Sequence, residues 1–134
     1  MDTPAIAVSN YFEVKDEKAF FEWCKTIPGL RCEKAPLTDD GLAHGVAVWS
    51  EDGFWTTMID DPATVECRDV DMPKELQKHL KDGSVAIPMH SSADEDAIGY
   101  SCAITPGKEI VWVSIYDIVD KARKVFGIEN IGAV

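Results

Sequence analysis

The stretch from residue 98 to residue 126 constrains the fold of this chain more than any other. Its first residues alternate, so that one face of a predicted strand carries Ile98, Tyr100, Cys102 and Ile104. Residues 105–108 (TPGK) follow, with proline where a φ of about −65° is needed and glycine where φ must be positive, which is type II turn chemistry. The stretch therefore predicts a β-hairpin with a return strand at residues 109–113.

An amphipathic helix is predicted directly after this hairpin. Ser114 and Asp117 match the S/T-x-x-D/E pattern of a helix start, and Gly127 is a typical helix stop. The apolar residues recur at spacings of three and four, which places on one stripe Ile115, Ile118, Val119, Ala122, Val125 and Phe126. We expect this stripe to cover the sheet, so that hairpin and helix form one core.

The rest of the chain repeats strand and helix signals. Asp16 and Asp71 are predicted helix N-caps. The first helix is predicted to end near Ile27, and its apolar stripe consists of Ala19, Phe20, Trp23, Cys24 and Ile27. The stripe of the second helix consists of Met72, Leu76 and Leu80. Strands are predicted at residues 5–14, 30–34, 45–49, 54–59 and 85–89. We expect residues 54–59 to pair with 45–49 as a hairpin, and residues 60–70 to form a loop. Pro88 lacks an N–H, which predicts an edge position or a bulge for its strand.

The element order predicts an α+β fold in one domain, residues 1–134. It favours a single mixed or mainly antiparallel sheet of about seven strands, with three helices packed on one face. The order contains an α-β-β-β unit twice, and the segments 47–59 and 103–115 align at an offset of 56 residues. An internal duplication is therefore a hypothesis.

The chain is strongly acidic, with a net charge of −11. This charge disfavours nucleic acid and anionic membranes as direct partners and favours a basic protein partner, although surplus acid also serves solubility alone. No basic segment followed by an apolar run opens the chain, and no apolar stretch of about 18 residues occurs. We therefore expect a cytoplasmic protein without a membrane segment.

The acidic residues are concentrated in loops and turns. Between Pro36 and Met72 there are nine acidic residues and one basic residue, a local balance of −8. If the strands form an up-and-down meander, the carboxylates at 39–40 and 60–61 share one rim of the sheet, and those at 94–96 lie on a matching rim. The predicted partner-binding residues are Asp39, Asp40, Glu51, Asp52, Asp60, Asp61, Asp94, Glu95 and Asp96.

No catalytic, phosphate-binding or metal-binding motif is found in the sequence, so we expect neither an enzyme nor a cofactor. His44, His79 and His90 are widely spaced, and the four cysteines contain no CxxC pair. Cys24 and Cys102 occupy apolar positions and are predicted to be reduced core thiols. An alternative function is a small-ligand pocket between sheet and helices, lined by Trp49, Trp55, Trp112 or a histidine.

Three segments carry a resemblance to a known class of proteins: residues 9–30 (SNYFEVKDEKAFFEWCKTIPGL), 75–89 (ELQKHLKDGSVAIPM), and 98–104 with 111–118 (IGYSCAI and VWVSIYDI). In these segments the chain resembles small acidic accessory proteins of phages and plasmids. The resemblance implies an anti-defence protein of the anti-CRISPR or antirestriction type, which binds and inhibits a basic nucleic-acid enzyme. An immunity protein against a cationic toxin is the alternative within the same broad class.

Overall fold

Eight strands and three helices make up the part of the chain that the computed structural model describes, which comprises residues 5–36, 45–61, 66–92, 98–114 and 116–130. The helices are α1 (Glu17–Lys25), α2 (Met72–His79) and α3 (Asp117–Phe126). The strands are β1 (Ile6–Ser9), β2 (Leu30–Lys34), β3 (Val46–Ser50), β4 (Met58–Asp61), β5 (Glu66–Asp69), β6 (Pro88–Ser92), β7 (Ile98–Ala103) and β8 (Val111–Ser114).

Six of the strands form one antiparallel sheet in the order β2-β3-β1-β6-β7-β8, and β4 and β5 form a separate two-stranded sheet. The α+β class and the antiparallel pairing are as predicted. The single seven-stranded sheet and the internal duplication are not confirmed. In the first α-β-β-β unit the third strand, β4, belongs to a different sheet, whereas in the second unit β8 stays in the main sheet.

The prediction that residues 54–59 pair with 45–49 is wrong, and so is the loop predicted at 60–70. β3 pairs with β2 and β1, while β4 pairs with β5. The reason is that β3 lies between β2 and β1, so neither of its edges is left for residues 54–59. Gly53, where φ is 80°, turns the chain away from β3, and its backbone lies so close to the Ala5 carbonyl that only glycine fits. The chain after β3 therefore crosses over the sheet instead of returning along it.

The first strand bends in the middle of the main sheet. Val8 lies opposite Trp49 and Phe12 opposite Val46, so four steps along the first strand match three along β3, as in a β-bulge. Towards β3, the Ser9 hydroxyl accepts from the Val48 N–H at 2.9 Å. On the other side of β1, the Asn10 amide binds the segment before β6, because its Nδ2–H donates to the Val85 carbonyl at 2.9 Å and its Oδ1 accepts from the Ile87 N–H at 2.7 Å. The strand predicted at residues 5–14 is thus shortened to β1 and two bridges.

Pro88 is neither at a sheet edge nor at a bulge, contrary to the prediction. It is the first residue of β6, which lies between β1 and β7. The pairing with the neighbouring strand runs in one register from Ala86 opposite Ile104 to Ser92 opposite Ile98. Proline is tolerated at the first residue of a strand, where a missing N–H interrupts the ladder least.

The core lies between one face of the main sheet and the helices α1 and α2. The helix caps predicted at Asp16 and Asp71 are confirmed, since Asp16 accepts from the Ala19 N–H and Asp71 from the Lys74 N–H. The helix start predicted at Ser114 is wrong, because α3 begins at Asp117 and its N-cap residue is Tyr116. The predicted stripes supply buried Phe20, Cys24, Ile27, Met72, Leu76 and Leu80, whereas Ala19 is exposed and Trp23 half-buried. Sheet residues such as Val46, Val48 and Ile104 complete the core.

Helix α3 does not cover the sheet, so the predicted core of hairpin and helix is wrong. None of its described residues is buried, and Ile118 is 61% exposed. Gly127 ends the helix with φ at 69°, as predicted. At the other end, Asp117 Oδ2 accepts from the Ser114 N–H at 2.6 Å, whereas Ile115 lies outside the described residues. Within the described chain, no helix is long and apolar enough to span a membrane.

Candidate functional site

Five of the nine predicted partner-binding residues lie outside the described part of the chain. These are Asp39 and Asp40, before β3, and Asp94, Glu95 and Asp96, between β6 and β7. Their assignment to a partner interface stays a prediction that rests on the sequence.

Glu51 and Asp52 lie in the turn that follows β3. The Glu51 carboxylate is already paired, because one of its oxygens lies 2.6 Å from Nη2 and 2.7 Å from Nε of Arg31. Asp52 accepts from the Ser50 hydroxyl at 3.4 Å. Glu51 therefore offers a partner less charge than the sequence indicates.

Asp60 and Asp61 lie on β4, in the two-stranded sheet formed by residues 58–61 and 66–69, which we call the acidic hairpin. Four acids and one base give its strands a charge of −3, and all four residues of β5 are exposed. Because β4 is not part of the main sheet, the meander on which the common rim depended is wrong. The structure places Asp60 opposite Cys67 and Asp61 opposite Glu66 instead.

A cavity of about 330 Å³ lies between the main sheet and the base of the acidic hairpin. Side chains of β6, β7 and β8 form its floor: Pro88, Tyr100, Cys102 and Trp112. The opposite wall comes from the segment before β4 and from the segment joining β5 to α2: Trp55, Thr56, Thr57, Asp69, Val70, Asp71, Met72 and Pro73. We call this space the tryptophan cavity.

Backbone and side-chain hydrogen bonds hold both walls of the tryptophan cavity in place. The Val70 N–H donates to the Thr57 carbonyl at 2.8 Å, and this bond joins the two segments that form the wall opposite the floor. Gln77 on α2 donates from Nε2 to the carbonyls of Thr105 and Lys108, both at 2.9 Å. These two bonds fix the turn between β7 and β8, and with it the position of Trp112.

The tryptophan cavity carries negative charge. Asp69 and Asp71 line it and are exposed, and burial together with the Asp71 charge raises the pKa of the Cys102 thiol to about 11. Burial also raises the pKa of the Tyr100 phenol. The nearest base in sequence, Arg68, points its guanidinium to Glu75 at 3.6 Å. The walls thus combine aromatic rings with carboxylates.

The indole nitrogen of Trp55 is buried and has no hydrogen-bond partner among the residues that the structure describes. An indole N–H is only a donor, so it needs an acceptor, and a buried donor without one costs about 1–3 kcal/mol. A ligand that brings an oxygen next to Trp55 would remove that cost.

Two of the cavity residues, Trp55 and Trp112, were predicted in the alternative function that assumes a ligand pocket. Trp49, the third, lies on the other face of the sheet, because it is directly opposite Val8 and Arg31. Tyr100, Asp69 and Asp71 were not predicted as site residues. The alternation at 98–104 did place Tyr100 and Cys102 on one face, but nothing in the sequence brings residues 69–73 to that face.

The two described histidines, His79 and His90, do not converge on a metal site. His90 is buried, and its Nδ1 lies 2.9 Å from the Gly53 carbonyl oxygen, which can only accept, so the ring is protonated at Nδ1. His79 packs against Phe20 and Trp23, and His44 lies outside the described residues. Within the described ranges no group of three or more His, Cys, Asp or Glu side chains is placed to hold a metal ion.

The four cysteines are all free thiols. Cys24 and Cys102 are buried, as predicted for core thiols, whereas Cys32 is half-buried and Cys67 is exposed.

Comparison of the chain with protein-family models, with curated proteins and with solved structures gives no match. The tryptophan cavity and its carboxylates are therefore the basis for a functional assignment.

Proposed function

We propose that this protein is a non-catalytic binding protein for a basic protein partner, and that the tryptophan cavity takes a cationic side chain of that partner. The observation that carries the proposal is the cavity itself, in which Trp55, Trp112 and Tyr100 lie beside the carboxylates of Asp69 and Asp71. Its volume of about 330 Å³ lies at the small end of the range for ligand sites, and suits one side chain.

A cation is the ligand that fits these walls. A guanidinium or ammonium group gains from the faces of aromatic rings within about 6 Å and from nearby carboxylates, and the two effects add. An anion would be repelled by both carboxylates. It would also find few backbone donors at the start of α2, since Asp71 caps the Lys74 N–H and Pro73 has none.

A protein partner is favoured over a free cation by the surface around the cavity. The acidic hairpin adjoins the cavity through Asp69 and exposes four successive residues of β5, so it extends the negative surface beyond a single side chain. The net charge of −11 would speed encounter with a basic protein. A peptide also carries carbonyl oxygens, one of which could accept from the Trp55 indole.

Such binding would inhibit a partner that uses the same basic surface for nucleic acid. An acidic protein on that surface competes with the phosphate backbone, which is how an anti-defence protein of the anti-CRISPR or antirestriction type would act. An immunity protein against a cationic toxin would use the same contacts, and the cavity would also admit a free cationic metabolite. The three functions share one ligand chemistry and differ in the size of the ligand.

Calorimetric titration with N-acetyl-arginine amide tests the cavity, with N-acetyl-citrulline amide as the neutral isostere. We expect the arginine compound to bind with a Kd on the order of 1 mM, about −4 kcal/mol, and the citrulline compound to bind much more weakly. Asp69→Asn should weaken binding of the arginine compound. Asp82→Asn, which removes the same charge from an exposed turn after α2, should not. Equal binding of both compounds would contradict the proposal.

A further inference from the structure

Helix α3 presents an apolar stripe that no other part of the described chain covers. Ile118, Val125 and Phe126 are 61%, 69% and 68% exposed, and Ile128 after the helix is also exposed. These residues lie on one side of the helix, since they recur at the helical spacing, while Asp120 and Lys124 lie on the other. A contiguous apolar surface of this kind marks a contact with another molecule.

The sheet face turned away from α1 and α2 is apolar as well. Directly paired residues share a face, and one row of them crosses all six strands of the main sheet: Arg31, Trp49, Val8, Met89, Ser101 and Val113. On this face lies an open groove of about 470 Å³. Small residues of β7, Gly99 and Ser101, form its floor, with Met89 on one side and Val113 on the other.

The groove is about as long as two helical turns. On β7 it is lined from Gly99 to Ser101, three residues or about 10 Å, so it can take about two turns of α3, whose ten residues span about 15 Å. Among the described residues that line the groove there is no Asp, Glu, Lys or Arg. The surface therefore suits an apolar helix stripe, as in other helix-in-groove contacts.

The connection between β8 and α3 places the helix at the edge of the sheet. β8 is the last strand of the main sheet, and only two residues separate it from α3. The edge is not protected, because Val111, Trp112 and Val113 are exposed and uncharged. A second chain that paired with this edge would bring its own α3 to the groove.

We propose that the occupant of the groove is helix α3 of a second copy of this chain. In this two-fold dimer the β8 edges pair antiparallel, and each α3 lies on the partner subunit's open sheet face. The contact is isologous, so both copies bury the same surfaces.

The area available is sufficient for a stable dimer. Nine exposed apolar side chains would be covered: Ile6, Val8, Met89, Val111, Val113, Ile118, Val125, Phe126 and Ile128. At roughly 100 Å² each they give about 900 Å² per chain, against about 800 Å² per partner in a standard interface. Repulsion is small at the contact, because α3 carries a net +1 in a chain whose net charge is −11.

Sedimentation velocity over a dilution series of the full chain tests the dimer. We expect wild type to sediment with the mass of two chains, and Phe126→Asp to raise the dissociation constant at least about tenfold. Lys124→Ser is the matched control, since it changes the charge equally on the polar side of α3, and should leave the dimer intact. Phe126 is exposed in the single chain, so its replacement should not unfold the protein.

A second variant addresses the groove. Ser101→Trp fills its floor and should also give monomers, with thermal unfolding as the check that the variant is folded. A wild type that is monomeric at every concentration would overturn the proposal, as would a Phe126→Asp variant that dimerises like wild type. A monomer that sediments with neutral phosphatidylcholine vesicles, but not after Phe126→Asp, would overturn it in favour of a lipid surface.

Discussion

The rings of Tyr100 and Trp112 lie 6.4 Å apart, centroid to centroid, at an angle of 43°, on the neighbouring strands β7 and β8. Tyr100 continues the contact to His90, 4.9 Å away, and His90 to Phe54 at the same distance. This aromatic row runs from the segment that crosses the sheet to the sheet edge. It places Trp112 beside Tyr100 in the floor of the tryptophan cavity, where a planar cation could lie against a ring.

The acidic hairpin should act on the rate of association with a basic partner. Replacing Asp60 and Asp61 by asparagine removes two charges from the acidic hairpin but leaves the residues that line the cavity in place. With an arginine-rich peptide as ligand, we expect a slower association rate and a shallower salt dependence, because the Debye length falls from about 10 Å at 0.1 M to about 3 Å at 1 M salt. Stopped-flow tryptophan fluorescence measures both.

The control for this experiment is the pair Asp82→Asn and Glu129→Gln, which removes the same charge from exposed positions that do not line the cavity. Asp69→Asn should instead increase the dissociation rate, because that carboxylate lines the cavity. If the Asp60 and Asp61 variant keeps both the wild-type rate and salt slope, the acidic hairpin serves solubility alone.

Helices α2 and α3 were both predicted to pack on the sheet, but they should differ in what they contribute to stability. Leu76 on α2 is fully buried, so Leu76→Ala should lower the free energy of unfolding by about 2–5 kcal/mol. Ile118 on α3 is 61% exposed, and Ile118→Ala should cost less than about 0.5 kcal/mol in the monomer. Urea unfolding at high dilution measures both changes. A large loss for Ile118→Ala under those conditions would mean that α3 packs on its own chain.

Cys67 should be the first thiol to react in the native protein, and Asp60 should slow it. The Cys67 thiol donates to Asp60 Oδ1 at 2.9 Å, and this bond together with the charges of Asp60 and Asp69 raises the pKa of the thiol. Asp60→Asn should lower that pKa and speed alkylation at neutral pH, whereas Asp82→Asn should not. Mass spectrometry with iodoacetamide follows each site.

The buried thiols provide the internal reference for this labelling. Burial raises the pKa of Cys24 and of Cys102, so both should react only after unfolding, when all four cysteines should become alkylated. Fast native labelling of Cys24 would show that the core opens. A mass deficit from a disulfide, or a stoichiometric metal, would contradict the assignment of four free thiols.

His79 should make the protein less stable in mildly acidic solution. Its ring packs against Trp23, and burial lowers the pKa of His79 although Glu75 opposes the effect. Because the folded pKa lies below the unfolded one, stability is complete above about pH 6.5 and decreases as the pH falls towards the folded pKa. His79→Gln should remove this loss. Urea midpoints of both proteins between about pH 7.5 and 5.5 test it, and parallel curves would refute it.

Local signals in the sequence predicted the local structure well. The caps at Asp16 and Asp71 and the glycine stop at Gly127 were readable because each depends on a few neighbouring residues. Gly107 has φ at 74°, as the turn chemistry required. Strand β2 has the predicted bounds for the same reason.

The pairing of strands was harder to predict from the sequence. The alternating pattern at 54–59 is compatible with a hairpin to 45–49, and what prevents it is that both edges of β3 are already paired, with β2 and β1, a matter of strands that are distant in sequence. Likewise, the spacing of Ile118, Val125 and Phe126 predicts an amphipathic helix but does not specify which surface it covers. Periodicity identifies apolar faces, whereas topology decides what they meet.

The candidate site was likewise only partly predictable from the sequence. Charge counting proposed nine partner-binding residues, yet five of them lie outside the described residues and Glu51 is paired with Arg31. The tryptophan cavity depends on two hydrogen bonds from Gln77 to the β7–β8 turn and on one between Val70 and Thr57. No spacing rule contains such long-range contacts, so Asp69 and Asp71 were not predicted as site residues.

The most direct test of the proposed binding function uses the indole N–H signals of the four tryptophans in a ¹H–¹⁵N correlation spectrum. On titration with N-acetyl-arginine amide, we expect the signals of Trp55 and Trp112 to shift in a saturable manner. Trp23, whose Nε1 is bonded to Glu75, and Trp49, on the opposite sheet face, should not move. Saturable shifts at Trp49 or Trp23 alone, or no shift at Trp55 and Trp112 at saturating ligand, would contradict the account.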